Sequence, residues 1–207
     1  EARRSRRGSV DSPISVKSAS EALDLMAEGK HVVMDPDTVG VLLDKLAEIG
    51  QKAFAAEKAG TKFDAPNYNL CLIHVPDTNI FCEKNKGIPR IKMPQVKGKN
   101  IRPGSKAAKL IAQQNEENGT PDNREVDGTA AFVEYLKSKG VTIKRNQIVP
   151  ADKLKATQNQ LVGSKVGGMM GARAAGKFDP AKDSIFVSTD NYVLDGHHRW
   201  AAVVGSE

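Results

Sequence analysis

Five consecutive residues near the end of the chain, Asp195-Gly196-His197-His198-Arg199, have types and spacing that suit phosphate chemistry. An arginine guanidinium grips two phosphate oxygens at once. A histidine donates to phosphate, or serves as acid or base near neutral pH. A carboxylate such as Asp195 positions a histidine or holds a magnesium ion through water. Gly196 permits a sharp turn, and Trp200-Ala-Ala-Val-Val204 after it starts a helix. The first turn of a helix has N–H groups without intrahelical partners and carries the positive end of the dipole. Residues 195–199 therefore form an anion site by construction. They also fit a plain helix start, with Asp195 as cap, His197 and His198 on the surface and Arg199 in a salt bridge. The strand and tight hairpin ahead of them favour the phosphate site.

The elements that position this loop are legible upstream. Residues 184–188 (Ser-Ile-Phe-Val-Ser) read as a strand, Thr189-Asp190-Asn191 as its turn and Tyr192-Val193-Leu194 as the return strand. Residues 159–175 read as a helix carrying Gly163, Gly167, Gly168 and Gly171. These glycines weaken the helix but permit close packing or backbone approach to a ligand. Residues 141–143 and 147–150 read as extended, and residues 151–154 as a turn.

The first half alternates helix and strand. Ser18 or Ser20 caps a helix with Ala22, Leu23, Leu25 and Met26 on its apolar stripe, and Gly29 stops it. Residues 31–34 form a short strand. Asp35-Pro36-Asp37 starts a helix whose Val39, Val41, Leu42, Leu43, Leu46 and Ile49 recur at helical spacing up to about residue 59. Residues 68–75 read as a strand, with 79–82 as its hairpin partner. Residues 83–105, rich in Pro, Gly and Lys, are extended around Pro89 and Pro94 and suited to lie in a groove or on a neighbour. A short helix follows at 105–114. Residues 128–139 form an amphipathic helix with Ala131, Phe132, Tyr135 and Leu136 on one face. The expected organisation is a basic arm (1–13), a mixed helix/strand region (14–127) and a small phosphate-binding domain (128–207), an α+β class overall.

Residues 146–204 resemble the ParB/sulfiredoxin superfamily. The likeness rests on Ile148-Val-Pro-Ala-Asp-Lys-Leu-Lys-Ala-Thr-Gln158, the helix after it, Ser184-Ile-Phe-Val-Ser188 and Tyr192-Val-Leu-Asp-Gly-His-His-Arg-Trp-Ala-Ala202. The resemblance implies a small α/β domain whose loop-to-helix turn binds nucleotide phosphates. The Asp-Gly-His-His-Arg form is most similar to free-serine kinases. That implies ATP or ADP with Mg2+, contacts from Gly196, His197, His198, Arg199 and Gln158, and catalytic roles for Asp195, His197 and His198. Sulfiredoxins carry a reactive cysteine where His197 stands, so sulfinic acid repair is not expected. Chromosome-partition ParB proteins carry Gly-Glu-Arg-Arg and a following helix-turn-helix, so a centromere-reading clamp is not expected either. The serine kinases place a catalytic glutamate near Thr157-Gln158, and a glutamine takes no proton from a hydroxyl. Either Asp152 or Asp195 serves instead, or the domain binds phosphate without that reaction. The fold also needs a strand beyond the helix at Trp200, so the domain is expected to be cut short.

The first half combined with this C-terminal module, chiefly through Asn79-Ile-Phe-Cys-Glu83 and Gly87-Ile-Pro-Arg-Ile-Lys-Met-Pro-Gln95, resembles proteins encoded by actinobacterial phages near or fused to head-assembly genes. This implies the alternative of a virion structural protein without turnover, with virion proteins as partners and a location in the virion or the bacterial cytoplasm. The chain of 207 residues has net charge +6, and four arginines fall within Arg3–Arg7. Such an arm contacts DNA or an acidic protein, or is a solvated tail. No apolar run approaches the roughly 18 residues that span a bilayer. Cys71 and Cys82 lack CxxC spacing. They are expected to be buried free thiols, with a Cys71–Cys82–His74 metal site as the lesser option. A toxin or nuclease reading lacks a metal-ligand cluster.

Overall fold

The computed structural model describes residues 12–93 and 129–207 and, between them, Lys106, Lys109 and Ala112. It is an α+β protein of helices and two small sheets. The Arg3–Arg7 arm lies outside the described residues. So does the helix expected at 105–114, except that Lys106, Lys109 and Ala112 are helical and exposed. Residues Glu1–Ile91 and Ala151–Glu207 make one compact unit, and Lys92–Pro150 a second.

In the first unit, strand β1 (Ile14–Ser15) leads into α1 (Ala19–Ala27). The Ser18 side chain accepts from the Glu21 N–H at 3.2 Å, which satisfies one of the four orphan donors at the helix start. Gly29, at φ +76°, ends the helix. Strand β2 (Val32–Val33) then pairs in parallel with β1. Asp35 caps α2 (Pro36–Lys58) by accepting from the Thr38 N–H at 2.8 Å, with Pro36 at the first helical position. Val39, Leu42, Leu43 and Leu46 bury one stripe of α2 in the core, whereas Val41 is half exposed. Strand β3 (Ile73–His74) closes the all-parallel order β1-β2-β3.

The expected strand over 68–75 is shorter than the pattern suggested. Residues Leu70–Leu72 form a 3₁₀ turn instead. The cause is Asn69, whose side-chain oxygen accepts from both the Cys71 and Leu161 N–H groups and so diverts the backbone from a ladder. The expected hairpin partner at 79–82 is a loop. It folds back so that Cys71 and Cys82 stand 4.9 Å apart at Cα and form a disulfide. This corrects the expectation of free thiols and removes the Cys71–Cys82–His74 metal option.

The second sheet has the order β4-β6-β5. Strand β4 (Lys155–Ala156) is parallel to β6 (Tyr192–Asp195), and β5 (Phe186–Val187) is antiparallel to it. The helix between β4 and β5, α4 (Gly163–Ala174), starts four residues later than expected. Residues 157–162 stay outside the helix because they are held by other segments: Gln158 bridges Ile88 and Val162 bridges Asn69. The chain ends in α5 (His197–Gly205).

Helix α2 lies along α4 at backbone contact distance, so residues 12–91 and 151–207 share one unit. This division differs from the one expected at 127/128. Gly50 and Gly167 make the approach possible. A Cβ on Gly50 would collide with the Ser164 carbonyl, and one on Gly167 with the Leu46 carbonyl. The glycines of α4 thus serve helix packing.

In the second unit, α3 (Thr129–Ser138) is the expected amphipathic helix, here with Val133 buried and Tyr135 half exposed. Among the described residues, the segments expected to be extended at 141–143 and 147–150 pair with no strand, and Ile148 is fully exposed.

Candidate phosphate-binding site

Strand β6 delivers the chain to Gly196, whose φ of +96° is left-handed backbone that residues with a Cβ adopt rarely. The Ile185 side chain also fills the space a Cβ would need there. Helix α5 begins immediately after this turn, so His197, His198 and Arg199 are themselves the first helical turn. Trp200, Ala201 and Ala202 anchor it in the core, and the Trp200 indole donates to the Ala151 carbonyl at 2.9 Å.

Both histidines turn inward. The His197 Nε2 accepts from the Thr157 N–H at 3.1 Å and from the Gln158 N–H at 3.4 Å. The Thr157 hydroxyl, 3.0 Å from the same nitrogen, donates to the Val193 carbonyl at 2.6 Å. The His198 Nε2 accepts from the Val162 N–H at 3.0 Å. An Nε2 that accepts carries no proton, so each imidazole is the neutral tautomer protonated at Nδ1. Electrostatics agree. Burial pulls His197 down to about 4. Burial also pulls His198 down to about 3, with smaller contributions from Lys165, Arg90 and His197.

The His198–Val162 bond joins two helix starts. Val162 is the N-cap of α4, and neither α4 nor α5 has a side-chain cap. Arg199 pairs with Asp195 at 3.4 Å, and both side chains are 17% exposed, so the cation is held in place yet reachable. The buried Gln158 donates its amide to the Gln160 carbonyl at 2.6 Å. Asp152 is exposed on the Ala151–Lys153 turn. The structure thus brings together Asp195, Gly196, His197, His198, Arg199 and the backbone of Gln158, and turns the Gln158 side chain toward Gln160.

Arg90 and Lys165 complete the surroundings, close enough to His198 to bias its titration. Sequence reasoning missed both. Lys165 is hidden among the glycines of α4, and Arg90 is separated from the loop by more than a hundred residues. Arg90 sits at the end of a segment, residues 82–90, that runs along the edge of β4 opposite β6. There the Lys86 N–H donates to the Ala156 carbonyl at 3.2 Å and the Ile88 N–H to the Thr157 carbonyl at 3.0 Å. Its only signal was the basic, proline-bounded stretch that contains it.

Asp195 is the one carboxylate within the loop. A single carboxylate suits Mg2+ when nucleotide phosphates and water supply the other ligands. Among the described residues, no group of three or more His, Cys, Asp or Glu could hold a metal ion alone. No helix among them is long and apolar enough to cross a membrane. Compared with protein-family models, curated proteins and solved structures, the chain shows no match.

Proposed function

We propose that this protein binds a nucleotide through its phosphates where α4 and α5 begin, ATP or ADP with Mg2+ being the ligand that the ParB/sulfiredoxin resemblance implies. One observation carries the reading. Two helices start side by side without side-chain caps, tied by the His198–Val162 bond, with Arg90, Lys165 and Arg199 around them. The first N–H of α4, at Gly163, is taken by the Asn67 and Tyr68 carbonyls, so α5 supplies the first-turn N–H groups, while both helices supply positive dipole ends and the cations add to that field.

The same arrangement favours holding phosphate over moving a proton. Both Nε2 lone pairs already accept backbone N–H groups, and Gln158 offers no base. Phosphotransfer, the reaction for which the resemblance implies roles for Asp195, His197 and His198, would add positioning and charge to this binding.

Thermal denaturation of the full chain with ATP or ADP, with and without Mg2+, tests the reading. Ligand at a hundredfold its Kd stabilises by about 2.7 kcal/mol, which raises the Tm of a chain this size by about 5–10 °C. Arg199→Ala and Arg90→Ala should each reduce the rise. An unchanged wild-type Tm at millimolar nucleotide refutes the proposal.

A further inference from the structure

We propose that this site also takes single-stranded nucleic acid, held on a cationic track from Tyr192 to the helix starts. This rests on the phosphate-binding reading above.

At one end, the Lys86 Nζ lies 4.5 Å and the Lys155 Nζ 4.2 Å from the centroid of the Tyr192 ring. The three residues come from three adjoining segments: the 82–90 segment, β4 and β6. Contact with an aromatic face draws an ammonium toward the ring, so both charges gather at Tyr192. At the other end stand Arg90, Lys165 and Arg199. The 82–90 segment connects the two ends, and its hydrogen bonds to Ala156, Thr157 and Asn159 hold it along the sheet. Lys86 and Arg90 are four residues apart, at most about 13 Å in extended chain. The five cations along the whole track can neutralise about four phosphates of a flexible strand. A nucleotide bound at the helix starts leaves Lys86 and Lys155 unused.

Five cations face two carboxylates along this path. Asp195 is paired with Arg199. Asp190 accepts a hydrogen bond from the Ser188 hydroxyl, which holds its carboxyl below the usual range, and Lys155 and Lys86 add to the effect. The cationic surplus is what a polyanion recognises. Arg90, Lys155, Arg199 and Tyr192 are half-buried, so a flexible single strand reaches them where a stiff duplex rides above.

The test uses the full chain and fluorescein-labelled dT15, with anisotropy read from 50 to 300 mM NaCl. About four phosphate contacts give a log K against log salt slope of about −3 for a single strand. In the Lys86→Gln/Lys155→Gln variant the slope should fall to about −1.4 and affinity at 50 mM salt by about tenfold. The ATP-induced Tm rise should be unchanged in that variant. Because the Arg3–Arg7 arm is itself able to hold a polyanion, the double variant decides. Equal dT15 affinity in wild type and double variant overturns the proposal, as does tighter binding of a 15-base-pair duplex. If ATP raises the Tm and dT15 does not bind, the nucleotide reading stands and this inference falls. If dT15 binds through Lys86 and Lys155 and ATP has no effect, the track stands and the nucleotide reading falls.

Discussion

Acid should unfold this protein through His197 and His198 before its carboxylates titrate. Both imidazoles are neutral in the fold, held down to about 4 and about 3, whereas an unfolded histidine titrates near 6.5. Between pH 6.5 and 4 the unfolded chain therefore binds protons that the folded chain refuses. The stability is fully present above about 6.5 and is lost as pH falls toward the folded values. At pH 5 each site has given up about 2 kcal/mol, so the pair costs about 4 kcal/mol relative to pH 7.5. That is a large share of the 5–15 kcal/mol typical of a domain. Urea denaturation at pH 7.5 and pH 5 measures it. The informative comparison is His197→Gln/His198→Gln, because a glutamine carbonyl can accept the Thr157 and Val162 N–H bonds without titrating. The double variant should keep most of its pH 7.5 stability at pH 5, and single variants should recover about half of the loss. His31, whose pKa is also lowered, mainly by partial burial, contributes equally to every protein in the series and cancels. If wild type and double variant lose the same stability between the two pH values, the assignment of buried neutral acceptors is wrong.

Other expectations concern the frame that holds the loop. Gly167→Ala should destabilise by about 1–3 kcal/mol, read as a lower urea midpoint, because its methyl meets the Leu46 carbonyl with no room to yield. Gly40→Ala, on α2 with open space around it, should be neutral or gain up to about 1 kcal/mol in the same assay. Replacing both Cys71 and Cys82 with serine opens an 11-residue loop and should cost about 3 kcal/mol of unfolding free energy.

Local chemistry made much of the first unit legible. Ser18, Gly29 and Asp35-Pro36 mark helix ends by hydrogen bonds and backbone angles that act within four residues, and the structure has α1 and α2 between those marks. The hairpin around Asp190 was equally local: the Asn191 N–H donates back to the Ser188 carbonyl. What was not legible depends on partners distant in sequence. Residues 159–162 read as the start of a helix, but Val162 pairs with Asn69 and the helix begins only at Gly163. The apolar pattern over 68–75 loses to a single asparagine side chain that serves two backbone donors. The glycines of α4 left helix packing and ligand approach both open, and only the position of α2 decides between them. In the site itself the five-residue string was visible, whereas Arg90 was not, since nothing near it in the chain reports on where the 82–90 segment ends.

The roles within the site divide differently from what the string suggests. Read alone, Asp-Gly-His-His-Arg offers two histidines and an arginine to a phosphate. In the fold the histidines are acceptors that fasten the start of α5 to Thr157 and Gln158, just beyond β4, and to the start of α4. The anion-attracting parts are the uncapped helix starts they bring together and the cations gathered there from three separate stretches of chain. On this division, His198→Gln preserves the alignment of the two helix starts and should preserve ligand affinity. Arg90→Ala removes charge without touching the motif and should weaken it. A direct histidine–phosphate contact would reverse that order, so the ranking of these two variants separates a histidine that builds the site from one that occupies it.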